Sequence, residues 1–432
     1  MNNRKVAFKT LGCRLNQFET DSLSTDFFDM GYEIVDFNEK ADVYVINTCT
    51  VTNQSDQKSK NIINQAVKSA GKKGLVVVTG CMVTSQKEYL EKRNDLTYVV
   101  DNTRKKSVVP LVESHFNGEL LHPADMKQDL FNFSVARKSF HTRAMVKVQD
   151  GCNNRCTFCI VPTVRGKATS RPLHDIIENI KQVLETGYKE IVLTGVNISR
   201  YRWENYIFED LVEKILETEG DFRVRISSIE PEGFGDKFYS LFAHPKMCPH
   251  LHMCLQSGSD NVLLRMRRFY SLPEYRNIIE RFKTLYPDFN FTTDIIVGFP
   301  GETEEEFEET CRIVREIGFS HIHTFKYSVR KGTRAESMPD HIPEKIKTLR
   351  SERIRNIAEE NKLNYRSSFI GKTQRILIER PDDNGFARGY GEHYIPLQLK
   401  AGSFEKNRFY NVILREIMNN EDKTVLAEPE RE

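Results

Sequence analysis

The chain has 432 residues, of which 39% are hydrophobic and 29% are charged, and its formal net charge at pH 7 is +2. A chain of this length predicts about three domains of roughly 150 residues each, with enough apolar residues for sizeable cores. The sequence has no apolar run near the ~20 residues that a membrane helix needs, and its first residues lack the apolar core of a signal peptide. We therefore expect a cytoplasmic protein with no membrane partner.

Residues 4–114 alternate between strand and helix patterns. Strands are predicted at 5–11, 42–47, 75–79 and 97–100, and helices at 19–29, 55–70 and 85–93. Alternation of this kind is typical of a parallel sheet covered by helices on both faces. The sequence therefore predicts an α/β N-terminal domain over residues 1–114.

Three of the nine cysteines follow consecutive strands of this domain: Cys13, Cys49 and Cys81, here called the N-terminal triad. Because the carboxyl ends of parallel strands meet at one edge of a sheet, we expect the three thiols to converge there. In a reducing compartment, cysteines are more often metal ligands or catalytic groups than disulfide partners. The pattern favours a cluster site, although free cysteines are also commonly buried and inert.

Residues 115–142 lose the periodicity and are predicted to be a linker. Residues 143–366 return to it, with strands predicted at 143–149, 190–193, 223–227, 250–255, 290–297 and 321–327. Helices are predicted between them at 174–186, 208–217, 260–267, 273–286 and 304–317, and a long amphipathic helix follows at 343–366. Six strands with intervening helices indicate a central (βα)6 partial barrel, whose chemistry belongs on the face where the strands end.

A second group of three cysteines, Cys152, Cys156 and Cys159, lies in a loop after the first strand of this region and is here called the central triad. Thiolates are soft ligands that select zinc, copper(I) or iron–sulfur clusters. A closed structural zinc site needs four protein ligands, and this C-x3-C-x2-C stretch supplies three. A cube of four irons held by three thiolates would leave one iron open to bind another molecule, which makes the central triad the leading catalytic candidate.

The loops at the other strand ends are small and polar, as a site for a nucleoside-like cofactor requires. A glycine in such a loop permits a ligand to approach the backbone closely. Each of these residues could equally be an ordinary turn residue. The candidate cofactor-binding residues are Gly195, Asn197, Ser228, Glu230, Gln256, Ser257, Ile296 and Gly298.

Residues 367–432 carry short strand patterns at 374–379, 394–399, 409–415 and 424–428, separated by turn patterns that include 389–391. They predict a small all-β C-terminal domain, a barrel or a sandwich. Arg388 and Tyr390 belong to a set of interleaved basic and aromatic residues, which suits single-stranded nucleic acid through phosphate contact and base stacking. The alternative is that these aromatic residues pack the core of their own domain.

At Cys152, Cys156 and Cys159 the chain resembles the radical S-adenosylmethionine superfamily, whose signature is this triad. Its whole length resembles the methylthiotransferases of that superfamily, which have an N-terminal three-cysteine domain, a radical core and a C-terminal OB-like TRAM domain. The resemblance implies two 4Fe-4S clusters. The central triad would hold the cluster that binds S-adenosyl-L-methionine, and the N-terminal triad would hold an auxiliary cluster.

The residues beside the N-terminal cysteines narrow the resemblance. The stretch TLGCRLNQ around Cys13 and the stretch NTCTVT around Cys49 resemble the MtaB-type enzymes, which act on N6-threonylcarbamoyladenosine next to the tRNA anticodon. Enzymes that act on isopentenyladenosine in tRNA, or on a ribosomal-protein aspartate, tend to carry other residues here. Both activities stay as alternatives. An iron–sulfur RNA-binding redox protein without turnover, or a zinc-dependent RNA-binding protein, is an alternative of a different class.

The resemblance also implies the chemistry. Sulfur insertion at an unactivated adenine carbon requires a radical, which reductive cleavage of S-adenosyl-L-methionine supplies. A second molecule of S-adenosyl-L-methionine would donate the methyl group. A one-electron reductant such as flavodoxin or ferredoxin would be a partner, and the sulfur source stays open.

A tRNA substrate requires anchors for its phosphates. The predicted RNA-binding residues are Arg265, Arg267, Arg268, Arg388 and Tyr390. A further basic run with the same predicted role contains Arg330, Lys331 and Arg334.

Overall fold

The structure is a computed structural model, and it describes residues 4–134, 142–381, 386–400 and 404–430. Residues 135–141 of the predicted linker lie outside the described residues. The strands are β1 (Lys5–Thr10), β2 (Glu33–Val35), β3 (Val43–Thr48), β4 (Leu75–Gly80), β5 (Tyr98–Val100), β6 (Ala144–Lys147), β7 (Gln149–Asp150), β8 (Thr169–Ser170), β9 (Glu190–Thr194), β10 (Arg202–Trp203), β11 (Tyr206–Ile207), β12 (Arg223–Ile226), β13 (His250–His252), β14 (Asn290–Val297), β15 (His321–Lys326), β16 (Thr373–Pro381), β17 (Phe386–Tyr390), β18 (Pro396–Lys400), β19 (Phe409–Ile417) and β20 (Val425–Pro429).

The helices are α1 (Arg14–Asp29), α2 (Asn53–Ala70), α3 (Cys81–Ser85), α4 (Lys87–Glu91), α5 (Val108–Phe116), α6 (Val161–Arg165), α7 (Leu173–Glu185), α8 (Phe208–Leu216), α9 (Asp236–Leu241), α10 (Asp260–Arg265), α11 (Leu272–Leu285), α12 (Glu304–Ile317) and α13 (Glu344–Ser367). Among the residues that the structure describes, none of these helices has the length and apolar character needed to span a membrane.

Two compact units make up the chain. The first contains Met1–Thr186, Thr194–Asn197 and Ser328–Glu336, and the second contains Gly187–Leu193, Ile198–Tyr327 and Ser337–Glu432. The division at residues 114, 142 and 366 that the sequence suggests stays a prediction.

The first unit contains a five-stranded sheet in the order β2-β1-β3-β4-β5, with every neighbouring pair parallel. All six residues of β3 and of β4 are buried, as expected for central strands covered on both faces. One apolar core contains residues of α1 and α5, and the other contains residues of α2. The short elements β2 and α3 were not predicted.

The second unit contains two parallel groups of strands, β9 with β12 and β13-β14-β15. Helix α12 occupies the whole predicted range 304–317, because Thr303 and Glu306 form a capping box at its start. The predicted strand 250–255 is shorter than expected: β13 ends at His252. The residues after it belong to the loop that carries Gln256.

The chain ends in a closed five-stranded barrel with the order β16-β17-β18-β20-β19. The prediction of a turn at 389–391 was wrong at Gly389 and Tyr390, which belong to β17 and lie opposite Leu397 and Pro396 of β18. A glycine is required at position 389 by close packing, since a Cβ there would lie 1.8 Å from the Leu377 carbonyl oxygen. The predicted fold class is confirmed: an N-terminal parallel α/β sheet, a central series of βα units and a C-terminal all-β barrel.

Candidate functional site

The N-terminal triad assembles at the carboxyl edge of the five-stranded sheet. Cys13 directly precedes α1, Cys49 follows β3, and Cys81 is the first residue of α3, directly after β4. Gly12, with φ +96°, touches this group, since a Cβ on it would lie 2.9 Å from the Cys49 sulfur. Burial raises the pKa of the Cys49 thiol, and the nearby thiols of Cys81 and Cys13 raise this pKa further. The sheet therefore brings the three cysteines together.

Two buried asparagines hold the Cys13 and Cys49 segments against each other. Asn16 donates from Nδ2 to the carbonyl oxygens of Leu11 (2.8 Å) and Thr48 (3.0 Å). Asn47 donates from Nδ2 to the carbonyl oxygen of Asn16 at 2.9 Å. A buried amide without partners is costly, so these bonds fix the spacing of the two loops.

The central triad lies in the loop between β7 and α6. The Cys152 amide donates to Gly166 O (3.1 Å), and the Cys159 amide donates to Cys156 O (3.1 Å). The Asn154 amide points at the Cys152 sulfur at 3.3 Å. The loop is thus held by backbone hydrogen bonds, one within it and one to the residue directly after α6, and it supplies an N–H group to the Cys152 sulfur.

Gln149 places the predicted cofactor-binding residues Gly195 and Asn197 beside this loop. Its side-chain oxygen accepts hydrogen bonds from the amides of Val196 (3.0 Å) and Asn197 (2.8 Å). The Asn197 side chain then lies with Nδ2 3.9 Å from the Cys152 sulfur. Gln149 is fully buried, and its role was not evident from the sequence.

Both triads lie in the same compact unit, and one buried group connects them. Cys81 of the N-terminal triad packs with Ile160 and Val164, which follow the central triad in the chain. Asn102 donates from Nδ2 to Val164 O at 3.0 Å and points at the Cys81 sulfur at 3.7 Å. The two predicted cluster sites are therefore parts of one packed region.

The donor set of each triad fits a 4Fe-4S cluster. Three thiols are available at each site, and thiolates are the protein ligands of such clusters. N–H groups of Asn154, Asn197 and Asn102 point at the sulfurs. Donors of this type stabilise thiolate charge and tune the cluster that it holds.

Segment Ser328–Glu336 also joins the first unit, and it contains Arg330, for which a phosphate contact was predicted. Arg330 is only 6% exposed. Its guanidinium donates to Asp56 Oδ2 (2.6 Å) and to Thr50 O (3.0 Å), next to Cys49. The prediction of an RNA contact for Arg330 was wrong, because this buried side chain binds Thr50 and Asp56 beside Cys49.

The remaining candidate cofactor residues lie in the second unit. The Ser228 hydroxyl is 3.3 Å from the Cys254 sulfur, and Glu230 pairs with Arg268. Gln256 has φ +67°, and its backbone pairs with that of β14, where its carbonyl oxygen accepts from the Ile296 amide at 2.9 Å.

Two of these candidates, Ser257 and Gly298, already make hydrogen bonds or close packing contacts with other residues of the second unit. Ser257 is fully buried, with its hydroxyl 3.4 Å from that of Thr310. The Gly298 amide donates to Glu302 Oε2 at 2.6 Å, and a Cβ on Gly298 would lie 2.4 Å from the Lys347 side chain. Packing inside the unit accounts for both residues.

The predicted RNA-binding residues differ in their exposure. The Arg268 side chain is 3% exposed and pairs with Glu230, so its guanidinium is not presented to a phosphate. Arg265 pairs with Glu306, and Tyr390 stacks on Tyr394 with ring centroids 4.8 Å apart. Arg267 and Arg388 are exposed.

The second unit also brings together His252, Cys254 and Asp294, with ligand atoms within 4.8 Å of one another. These groups already contact each other: His252 Nε2 is 3.2 Å from Asp294 Oδ1, and Cys254 Sγ is 3.9 Å from Asp294 Oδ2. Burial raises the pKa of the Cys254 thiol well above its ordinary value. The ion pair between His252 and Asp294 and the hydrogen bond from Cys254 to Asp294 account for the proximity of the three groups.

Comparison with known proteins agrees with this geometry. The model of the radical SAM superfamily matches residues 146–314, and that of uncharacterized protein family UPF0004 matches residues 5–101. A relative from Aquifex aeolicus, named threonylcarbamoyladenosine tRNA methylthiotransferase MtaB, is 37% identical over 420 residues, which cover 95% of this chain and 100% of the relative. A relative from Thermodesulfovibrio yellowstonii, named tRNA-2-methylthio-N(6)-dimethylallyladenosine synthase, is 34% identical over 394 residues, covering 90% of this chain and 91% of the relative.

A solved structure shares the fold at much lower identity. It is the radical S-adenosylmethionine methyltransferase TsrM from Kitasatospora setae, with a TM-score of 0.58, 14% identity and coverage of 77% of each chain. The full-length relatives at more than 30% identity decide the family. The chain belongs to the radical S-adenosylmethionine tRNA methylthiotransferases, and it is an enzyme of that family.

Proposed function

We propose that this enzyme transfers a methylthio group to C2 of N6-threonylcarbamoyladenosine next to the tRNA anticodon. It would use two 4Fe-4S clusters, with S-adenosyl-L-methionine as both radical source and methyl donor. The observation that carries the proposal is the placement of two three-cysteine sites in one packed region, where Cys81 touches residues that directly follow the central triad. A reaction that needs a radical and a sulfur atom at the same substrate carbon requires two such neighbouring sites.

The two triads have different roles in this proposal. Cys152, Cys156 and Cys159 would hold the cluster that binds S-adenosyl-L-methionine, and this cofactor would supply radical chemistry for removal of the substrate hydrogen. Asn197 would contribute its side-chain N–H group beside the Cys152 sulfur. Cys13, Cys49 and Cys81 would hold an auxiliary cluster, which would supply the sulfur. Residues 367–432, as a TRAM domain, contribute to tRNA binding, and flavodoxin or ferredoxin supplies the electron.

The choice of nucleoside rests on the residues beside Cys13 and Cys49. The stretches TLGCRLNQ and NTCTVT resemble the MtaB-type enzymes. The relative named for threonylcarbamoyladenosine covers more of the chain than the one named for dimethylallyladenosine. The identities, 37% and 34%, are close, so dimethylallyladenosine is the competing substrate that an experiment has to separate.

Mass spectrometry of tRNA nucleosides tests the choice. A strain deleted for this gene is expected to lose 2-methylthio-N6-threonylcarbamoyladenosine and to accumulate its unthiolated precursor. Complementation with the parent chain should restore the product, and complementation with Cys152→Ala should not. Persistence of the product in the deletion strain would refute the assignment. Loss of 2-methylthio-N6-dimethylallyladenosine instead would show that N6-dimethylallyladenosine in tRNA is the substrate.

The salt dependence of tRNA binding tests the exposed arginines. Each phosphate contact that is lost should flatten the plot of log affinity against log salt by about 0.7–0.9. We expect Arg267→Ala and Arg388→Ala each to flatten it by about this amount, because both side chains are exposed. Lys214→Ala is the control and should leave the slope unchanged, because the Lys214 side chain of α8 is 42% exposed and already pairs with Glu217. An unchanged slope in both arginine variants would remove them from the RNA footprint.

A further inference from the structure

Five charged side chains form a buried network in the first unit. Glu19 pairs with Lys105, with Lys147 (3.1 Å) and with Arg165 (3.1 Å). Asp150 pairs with Lys147 (2.6 Å) and with Arg165 (3.0 Å). Every one of these side chains is at most 2% exposed. Three cations face two carboxylates, so the network carries a net charge of +1 when all are ionised.

The network is attached to the loops of the N-terminal triad. Arg165 donates to Asn16 Oδ1 at 2.6 Å, and Asn16 lies three residues after Cys13. Lys105 donates to Asn47 Oδ1 at 3.2 Å, and Asn47 lies two residues before Cys49.

The central triad is attached to the same network. Asp150 lies two residues before Cys152, and Arg165 is the last residue of α6, which follows Cys159. Its guanidinium donates to both carboxylates at about 3 Å. The charged groups are therefore interposed among the segments that carry both sets of cysteines.

The electrostatics of the site are consistent with this placement. Burial raises the pKa of the Cys81 thiol, and the positive charges of Arg165 and Lys105 act in the opposite direction on it. Arg165 and the other two cations hold the pKa of Glu19 well below its ordinary value, even though burial acts to raise it. Buried charges are screened far less than exposed ones, so the net charge of this network acts on groups nearby.

We propose that the net positive charge of this Glu19–Lys105–Lys147–Asp150–Arg165 network sets the reduction potential of the cluster held by Cys13, Cys49 and Cys81. The inference rests on the auxiliary cluster of the proposed function. A 4Fe-4S cluster on three thiolates carries about one negative charge when oxidised and about one more when reduced, and net charge is one determinant of its potential. A buried positive charge stabilises the reduced form more than the oxidised form, and it therefore raises the potential.

Four full-length chains test the proposal, all with the central triad replaced by alanine so that only the auxiliary cluster is present. They are the parent, Arg165→Gln, Glu19→Gln and the double variant. Arg165→Gln brings the network to net zero and should shift the midpoint potential to more negative values. Glu19→Gln brings it to +2 and should shift the potential to more positive values. The double variant restores +1 and should return close to the parent.

The readout is an anaerobic redox titration followed by the EPR signal of the reduced cluster, with iron content measured on the same samples. Glu190→Gln is the control, because Glu190 is fully buried between Arg223 and Arg225 in the second unit and should leave the potential unchanged. A purely structural role would move the potential without regard to the sign of the charge. Single variants that shift in the same direction, or a double variant that does not return, would overturn the proposal.

The design separates this inference from the proposed function. If the parent of this series binds no iron at the N-terminal triad, the auxiliary cluster itself is refuted, and the inference falls with it. If the cluster forms but its potential does not follow the charge, only the inference fails. If Arg165→Gln does not fold, Glu19→Gln against the parent still decides, since its midpoint potential must rise, and an unchanged or lowered potential would overturn the inference.

Discussion

Replacing Cys152 by alanine is expected to abolish formation of 5′-deoxyadenosine from S-adenosyl-L-methionine under reducing, anaerobic conditions. Replacing Cys49 by alanine should spare this cleavage and abolish methylthio transfer to tRNA. The physical reason is the separation of roles between two sites that have independent ligand sets. The Cys152 amide is fixed by the carbonyl of Gly166, directly after α6, whereas Cys49 follows β3 of the sheet. Loss of one of three thiolates leaves a cluster without enough protein ligands.

The measurement combines iron content, deoxyadenosine yield and tRNA nucleoside analysis on reconstituted chains. The parent should hold about eight irons, and each variant about four. Cys311→Ala is the matched control, because Cys311 is a buried thiol of α12 outside both triads, and it should retain all three readouts. If Cys49→Ala still transfers methylthio groups, the auxiliary role of the N-terminal triad is wrong. Deoxyadenosine formation by Cys152→Ala would contradict the role of the central triad.

The positions of the two triads could be predicted because they depend on local patterns. Strand ends are visible in the sequence as boundaries of apolar runs, and the carboxyl ends of parallel strands share an edge. Cys13, Cys49 and Cys81 could thus be grouped without knowing any contact. The central triad could be recognised from one short stretch of sequence, since its three cysteines lie within eight residues.

The side chains around the triads could not be predicted, because their partners are far away in the chain. Arg165 is separated from Glu19 by 146 positions, and Arg330 is separated from Asp56 by 274. Periodicity records which face of an element is apolar, but not which distant carboxylate a buried cation meets. Arg330 therefore resembled one more exposed basic residue.

The structural reason for a glycine is also difficult to predict from the sequence. Gly389 was assigned to a turn because it lies beside Gly391, yet it belongs to a strand where a neighbouring carbonyl leaves no space for a side chain. Close approach and positive φ both select glycine, and a single sequence does not distinguish them. Gly151, directly before Cys152, combines the two causes.

Gly151→Ala is expected to remove the cluster of the central triad and to destabilise the fold by roughly 3 kcal/mol or more. Gly151 has φ +68°, and a Cβ there would lie 2.1 Å from the Lys167 carbonyl oxygen. That carbonyl is backbone between α6 and β8, and β8 pairs with β7 just before Gly151. Relief of the clash must therefore move Gly166, whose carbonyl fixes the Cys152 amide at 3.1 Å.

Gly118→Ala separates the effect of a positive φ from the effect of a steric clash. Gly118 also has a positive φ, +82°, but a Cβ on it meets nothing within 4 Å, so the substitution should cost only about 1–2 kcal/mol and leave the iron content unchanged. Thermal unfolding of the cluster-free chains gives the stability difference, and iron per chain after reconstitution reports the loop. Gly151→Ala should retain only the irons of the N-terminal triad, about four. A Gly151→Ala chain with full iron content and the stability of Gly118→Ala would mean that the Lys167 carbonyl gives way without moving Cys152, and that this loop tolerates a side chain.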